Sequence, residues 1–203
     1  NFFVALLLSA AITGLFGFLL GMPALRLRGD YLAIVTLGFG EIVRLVFVNW
    51  KGLTRGPAGL PGIPSPQIFG FTISGRTEFY YLALILALFT IFFMVKLINS
   101  GVGMAMQTVK NDEIAAEAIG IQPRKYKIMA FVISSAFAGM IGCFFASYLS
   151  YISPTAFVYN TSMTILTMAV LGGLGSIMGS ILGASILVIV PEMLRFLNDY
   201  RML

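Results

Sequence analysis

Four apolar runs, Phe2 to Leu20, Tyr31 to Val48, Glu78 to Val95 and Ile128 to Tyr148, each have the length a bilayer core demands, roughly 20 residues. Composition agrees: 59% of the 203 residues are hydrophobic, 10% are charged, and the mean hydropathy is +0.95. The chain reads as an all-α, polytopic membrane protein. It contains no His and one Cys, Cys143, so metal clusters, His-based relays and disulfide frameworks are not available within it. The net charge of +5 does not point to nucleic acid, because the basic residues lie at span ends and in loops rather than along one soluble face. The chain opens on Asn1 with no charged n-region or cleavage site, and is expected to be an internal piece of a longer protein.

In the first run Thr13, Gly17 and Gly21 recur every four residues, which lets a neighbouring helix approach closely; equally, glycine is simply frequent in membrane helices. The turn from Pro23 to Asp30 carries Arg26 and Arg28 and is assigned to the cytoplasm. Glu41 and Arg44 lie in the second run at i, i+3, on one helical face, where they neutralise each other. Charge in hydrocarbon is costly, so the pair should face protein or water. Two readings stand: an ion pair holding two helices together, or part of a translocation path. Gly38 and Gly40 just before it admit a close neighbour. Residues 49–77, dense in Gly and Pro, form a long extracytoplasmic loop without a helical or strand period. Phe79, Tyr80 and Tyr81 open the third run as an interfacial belt. Lys96, Lys110, Arg124, Lys125 and Lys127 then join Arg26 and Arg28 on the cytoplasmic side, against Lys51, Arg55 and Arg76 outside. The fourth run has two four-residue stripes, Ser135, Gly139, Cys143, Ser147 and Ala138, Gly142, Ala146; Cys143 is a small packing residue within the first.

The stretch from Phe157 to Val190 is too long for one ordinary span, carries no charge and is interrupted at Gly172, Gly173, Gly175 and Ser176. Two half-length helices meeting at a break fit it, as does one long kinked helix. A break at membrane depth would have to line a cavity or be wrapped by protein, and the half-helix N-terminus there favours anions. Pro191 ends the apolar run, and residues 191–203 form an amphipathic tail.

Between the third and fourth runs, residues 99–126 form a polar segment with a helical pattern of its own. In NDEIAAEAIGIQPRKYK, Asn111 is the expected N-cap, Asp112 and Glu113 supply first-turn acid, and Gly120 with Pro123 close a helix of about two turns. Glu113 and Glu117 share a face; Ala115, Ala116 and Ala118 leave a surface that another protein can approach. The alternatives are a solvated loop helix and a docking helix.

Three motifs together, LRLRGDYLAIVTLGFGEIVRL (Leu25 to Leu45), NDEIAAEAIGIQPRKYK and LGGLGSIMGSILGA (Leu171 to Ala184), resemble the inner-membrane permease subunits of bacterial branched-chain amino-acid ABC importers, in particular the M-type subunit of the high-affinity leucine/isoleucine/valine systems. The resemblance covers essentially the whole chain. It implies a multi-pass bundle with a cytoplasmic coupling helix, a homologous second permease subunit, two cytoplasmic ATP-binding subunits, a periplasmic amino-acid-binding protein and no cofactor. It also implies earlier spans and one later span than the 203 residues hold. Of the E-A-A-x-x-x-G signature of such permeases, Ala115, Ala116 and Gly120 match, while the Glu stands one residue early at Glu113 and Ile114 takes its place. The coupling set so implied is Asp112, Glu113, Ala115, Ala116, Glu117 and Gly120.

No Gly-Lys dipeptide occurs, so the chain holds no phosphate-binding loop and energy must come from a partner. The expected mechanism has closure of the partner ATPases move the Asp112 to Ile119 helix, with the third and fourth spans relaying the motion. A substrate carboxylate would meet the backbone near Gly175 and Ser176, with Glu41, Arg44, Gly172 and Gly173 as further path residues. A permease for urea or short amides, and a channel or structural subunit without an ATPase, are the rival readings.

Overall fold

The computed structural model describes residues 1–24, 30–68, 71–173 and 175–200. Arg26, Arg28, Leu174 and residues 201–203 lie outside them. The chain divides into two compact units, Asn1–Pro154 and Thr155–Leu203.

The first unit is built on α1 (Phe2–Ala24), α2 (Asp30–Asn49), α4 (Arg76–Ile98) and α7 (Pro123–Leu149), joined by α3 (Lys51–Thr54), α5 (Gly101–Asn111) and α6 (Glu113–Ala118). Helices α1, α4 and α7 are each long and apolar enough to cross a membrane. The first runs into Pro23, and the last starts at Pro123, whose missing N–H costs nothing at a first helical position. Helix α4 begins two residues before Glu78, because the Glu78 carboxylate reaches back to accept from Ser74 N (2.9 Å) and Gly75 N (3.1 Å).

Small residues set the closest packing. Helices α1 and α7 lie antiparallel: a Cβ on Gly14 would meet Val132 and Ala136, one on Gly17 would meet Ser135, and one on Gly139 would meet Ser9 and Thr13. The stripe Thr13, Gly17 thus faces the stripe Ser135, Gly139, and Gly21 is buried beyond them. In the second α7 stripe, a Cβ on Gly142 would meet nothing within 4 Å among the described residues. Helix α4 meets α7 through rings, Phe79 against Tyr148 (5.3 Å) and Phe93 against Phe137 (5.0 Å). At one end of the bundle Phe2, Leu6 and Leu82 form a buried cluster on which Met140, Cys143 and Phe144 pack.

The 49–77 stretch has more order than its composition predicts. Short strands β1 (Leu60–Pro61), β2 (Gln67–Ile68) and β3 (Phe71–Thr72) form there; β2 pairs with β3, and β1 pairs antiparallel with β4 (Tyr151–Ile152), just after α7. Gly62 N and Ile63 N donate to Ser150 O at 3.0 and 3.2 Å, Tyr151 OH to Ala58 O at 3.0 Å and Ser153 Oγ to Pro57 O at 3.0 Å. These bonds join residues some ninety positions apart, which no local periodicity can report.

The second unit holds α8 (Tyr159–Gly172) and α9 (Ile177–Tyr200). The two helices run antiparallel with their backbones in contact: a Cβ on Gly172 would strike Gly179, and one on Gly183 would strike Met168 O and Gly172. Gly173 (φ 96°) and Gly175 (φ 100°) adopt a backbone that other residues rarely enter, which stops α8 between Gly172 and Ile177. Pro191 ends the apolar run but not the helix, since α9 continues through it.

Candidate functional site

The polar turn between α4 and α7 is a compact assembly. Ser100 caps α5 by accepting from Gly103 N (3.2 Å), and Gly103 lies against the carbonyls of Leu97 and Ile98. Helix α5 has no counterpart among the elements expected from the sequence; its signal was Ser100 followed by Ala105 and Val109, four apart and both buried. Asn111 is not the N-cap of α6. It is the last residue of α5, and Asp112, extended at φ −154°, ψ 114°, caps instead, its carboxylate accepting from Ile114 N (2.8 Å) and Ala115 N (3.1 Å). At the other end Gly120 (φ 81°) donates to Glu117 O (3.0 Å) and Ile121 N to Ala116 O (3.0 Å), a Schellman closure that only glycine enters cheaply. Pro123 does not close α6; it starts α7 three residues later.

The faces of α6 differ from the sequence expectation in one respect. Ala116 is fully buried within the chain, so it seats the helix and leaves Ala115, Ala118 and Glu117 on the open side. Ile114 and Ile119 flank them at 76% and 69% exposure. Glu113 pairs with Lys127 of α7 rather than pointing outward beside Glu117. That ion pair was invisible in the sequence, because the two residues meet only once the Gly120 turn reverses the chain.

Glu41 and Arg44 pair as their spacing requires, with Arg44 Nε donating to both carboxylate oxygens at 3.0 and 2.9 Å. Both partners belong to α2, so among the described residues the ion pair itself lies within one helix. Gly38 and Gly40 open on free space, and the close neighbour expected there is not among the described residues. In the second unit Gly172 packs on Gly179, while Gly173, Gly175 and Ser176 are exposed. The Ser176 hydroxyl accepts from Gly179 N at 3.1 Å and so occupies one of the amides at the start of α9. Among the described residues no group of three acidic, Cys or His side chains could hold a metal ion.

Three membrane-length helices, two of them packed through small residues, and an ordered polar turn define a multi-pass α-helical membrane protein. Over residues 1–203 the sequence matches the family described as branched-chain amino acid transport system / permease component. It is 40% identical to the high-affinity branched-chain amino acid transport system permease protein LivM of Salmonella typhimurium LT2, over 100% of this chain and 53% of that protein. LivM of Escherichia coli K12 gives the same figures. A more distant relative, the autoinducer 2 import system permease protein LsrC of Escherichia coli SMS-3-5, is 26% identical over 96% of this chain and 56% of its own length. No solved structure matches. The chain spans about half the length of the curated relatives it matches. It belongs to the family of permease components of branched-chain amino-acid transport systems.

Proposed function

We propose that the chain is part of the membrane-spanning permease subunit of an ATP-driven importer for branched-chain amino acids, set in a bacterial inner membrane. The observation that carries this reading is the family match along the whole chain together with 40% identity to LivM. In it, both compact units belong to one permease domain, which works with a homologous second permease subunit, two cytoplasmic ATP-binding subunits and a periplasmic binding protein that delivers the amino acid. Residues 49–77 face the binding protein and residues 99–126 face the ATPases. The geometry of the first unit supports that division, because the two segments lie at opposite ends of α7: one is bonded to Ser150 and Ser153, the other to Lys127.

The exposed side of α6, with Ala115, Ala118, Glu117 and two isoleucines, is the surface the ATPase meets; Asp112, Ala116 and Gly120 keep it in shape. Glu41, Arg44, Gly172, Gly173, Gly175 and Ser176 are the candidates for the translocation path. LsrC, named as the permease protein of an autoinducer 2 import system, favours a second reading in which this scaffold carries a different cargo. Purification of the full-length protein with the products of neighbouring genes tests the first claim: a soluble ATP-binding subunit retained on the column supports it, and a permease that purifies alone argues for a channel or structural subunit. Exchanging only the binding protein tests the second, since cargo choice that follows the exchange shows that the permease hardly selects.

A further inference from the structure

Resting on the reading of α6 as the element that meets the ATPase, we propose that Glu113 is an internal tether, not a partner contact: its ion pair with Lys127 makes α6 and the base of α7 move as one body. The side chains are 35% and 25% exposed, so the pair is partly withdrawn from water, where a charge left without its partner is poorly solvated. Helix α6 is far too short to persist alone and follows whatever holds it. Its C-terminal end is closed by the Schellman bonds, which fold back onto Ala116 and Glu117, and is joined to α7 by the short link from Gly120 to Gln122. Glu113, at the opposite end, supplies a second attachment to the same helix. At that end Asp112 joins α6 directly to α5, and the Glu113–Lys127 pair adds a route straight to α7, so that a load on α6 reaches α7 from both of its ends.

The load then enters α1 together with α7. Along their middle those two helices touch through backbone and short side chains, Ser9 and Thr13 against Gly139 and Gly17 against Ser135, contacts with little room to yield. Helix α4 meets α7 through aromatic rings, contacts that can slide. The lever is therefore the α1–α7 pair, in place of a relay shared between the third and fourth spans. Glu113 and Lys127 are positioning residues in this scheme; neither touches substrate or nucleotide.

The test uses the full-length protein assembled with its ATP-binding subunits and binding protein in proteoliposomes, and reads substrate moved per ATP hydrolysed. Glu113→Lys and Lys127→Glu should each keep the ATP-binding subunits on the column and lower that ratio about fivefold, as loss of a partly exposed pair implies. The double exchange should restore it to within about twofold of wild type, the signature of direct coupling. Glu113→Gln, which keeps the shape and removes the charge, reads the same quantity if a reversed charge prevents assembly. A ratio unmoved by Lys127→Glu, or a Glu113→Lys protein that sheds its ATP-binding subunits and is not rescued by the exchange, overturns the tether. Wild-type protein without ATP-dependent uptake overturns the importer reading and the tether with it; an active wild type with a failed rescue overturns the tether alone.

Discussion

The hydroxyl of Ser9 on α1 donates to the backbone carbonyl of Gly139 on α7 at 2.6 Å, an approach that only the missing side chain at 139 allows. In a membrane, where apolar surface gains little by helix association, such close packing and interhelical bonding are what hold two helices together. Gly139→Ala would place its methyl group on Thr13 and on Ser9 O, so it should cost about 1–3 kcal/mol and lower the unfolding temperature of the purified protein in detergent. Gly142→Ala, three residues on, meets nothing within 4 Å and should leave the melt unchanged or raise it slightly. Equal losses at both positions would show that α7 does not use the first stripe selectively.

Asp112→Ala removes an acceptor used by two amides of α6 and should cost about 1 kcal/mol, confined to that turn. Hydrogen exchange should quicken from Glu113 to Ala118 while the amides of α7 keep their protection. Asp112→Asn should behave almost as wild type. Uniform loosening along α7 in the alanine variant would contradict a local cap.

Gly120→Val forces a β-branched residue to a φ of 81°, a conformation costing such residues more than the roughly 1 kcal/mol typical for L-residues. Limited proteolysis between Ile119 and Pro123 should then be faster than in wild type. A rate of cleavage unchanged from wild type would mean that the Schellman closure is not what orders this turn.

Gly183→Val sets a side chain against Met168 O and the backbone of Gly172, neither of which can rotate away. The α8–α9 hairpin should open, at a cost of about 1–3 kcal/mol. Hydrogen exchange in detergent should quicken along α8 in this variant while the amides of α1 and α7 keep their protection. Exchange in α8 unchanged from wild type would contradict the antiparallel backbone contact.

For the intrahelical pair, Glu41→Gln or Arg44→Gln alone leaves one charge without its counter-ion, whereas changing both removes the problem. The single variants should therefore yield less folded membrane protein than the double. A double variant as poor as either single would show that the charges serve something beyond each other, as a path residue would.

Much of the first unit was legible because membrane helices announce themselves by length and because small residues at four-residue spacing mark contact faces. Thr13 and Gly17 meeting Ser135 and Gly139 is the clearest case, although nothing in the sequence said which of the two α7 stripes would be taken. Gly120 was legible as a helix stop for a local reason: only glycine goes there cheaply. Asn111 and Asp112 were confused because both are good capping residues, and the choice depends on where α5 ends, a helix hidden by its glycines and short length. Ala116 looked like surface because a six-residue helix gives too few turns to tell a buried face from an open one. The strand pairing of Leu60 with Ile152 and the Glu113–Lys127 pair are set by chain reversal and tertiary packing, which one-dimensional patterns do not carry.

The most direct measurement is ATP hydrolysis by the full-length complex in proteoliposomes, with and without binding protein loaded with leucine. The account predicts that the loaded binding protein stimulates hydrolysis and that labelled leucine accumulates inside only when ATP is supplied. Leucine that equilibrates without ATP, or hydrolysis indifferent to the loaded binding protein, would contradict it.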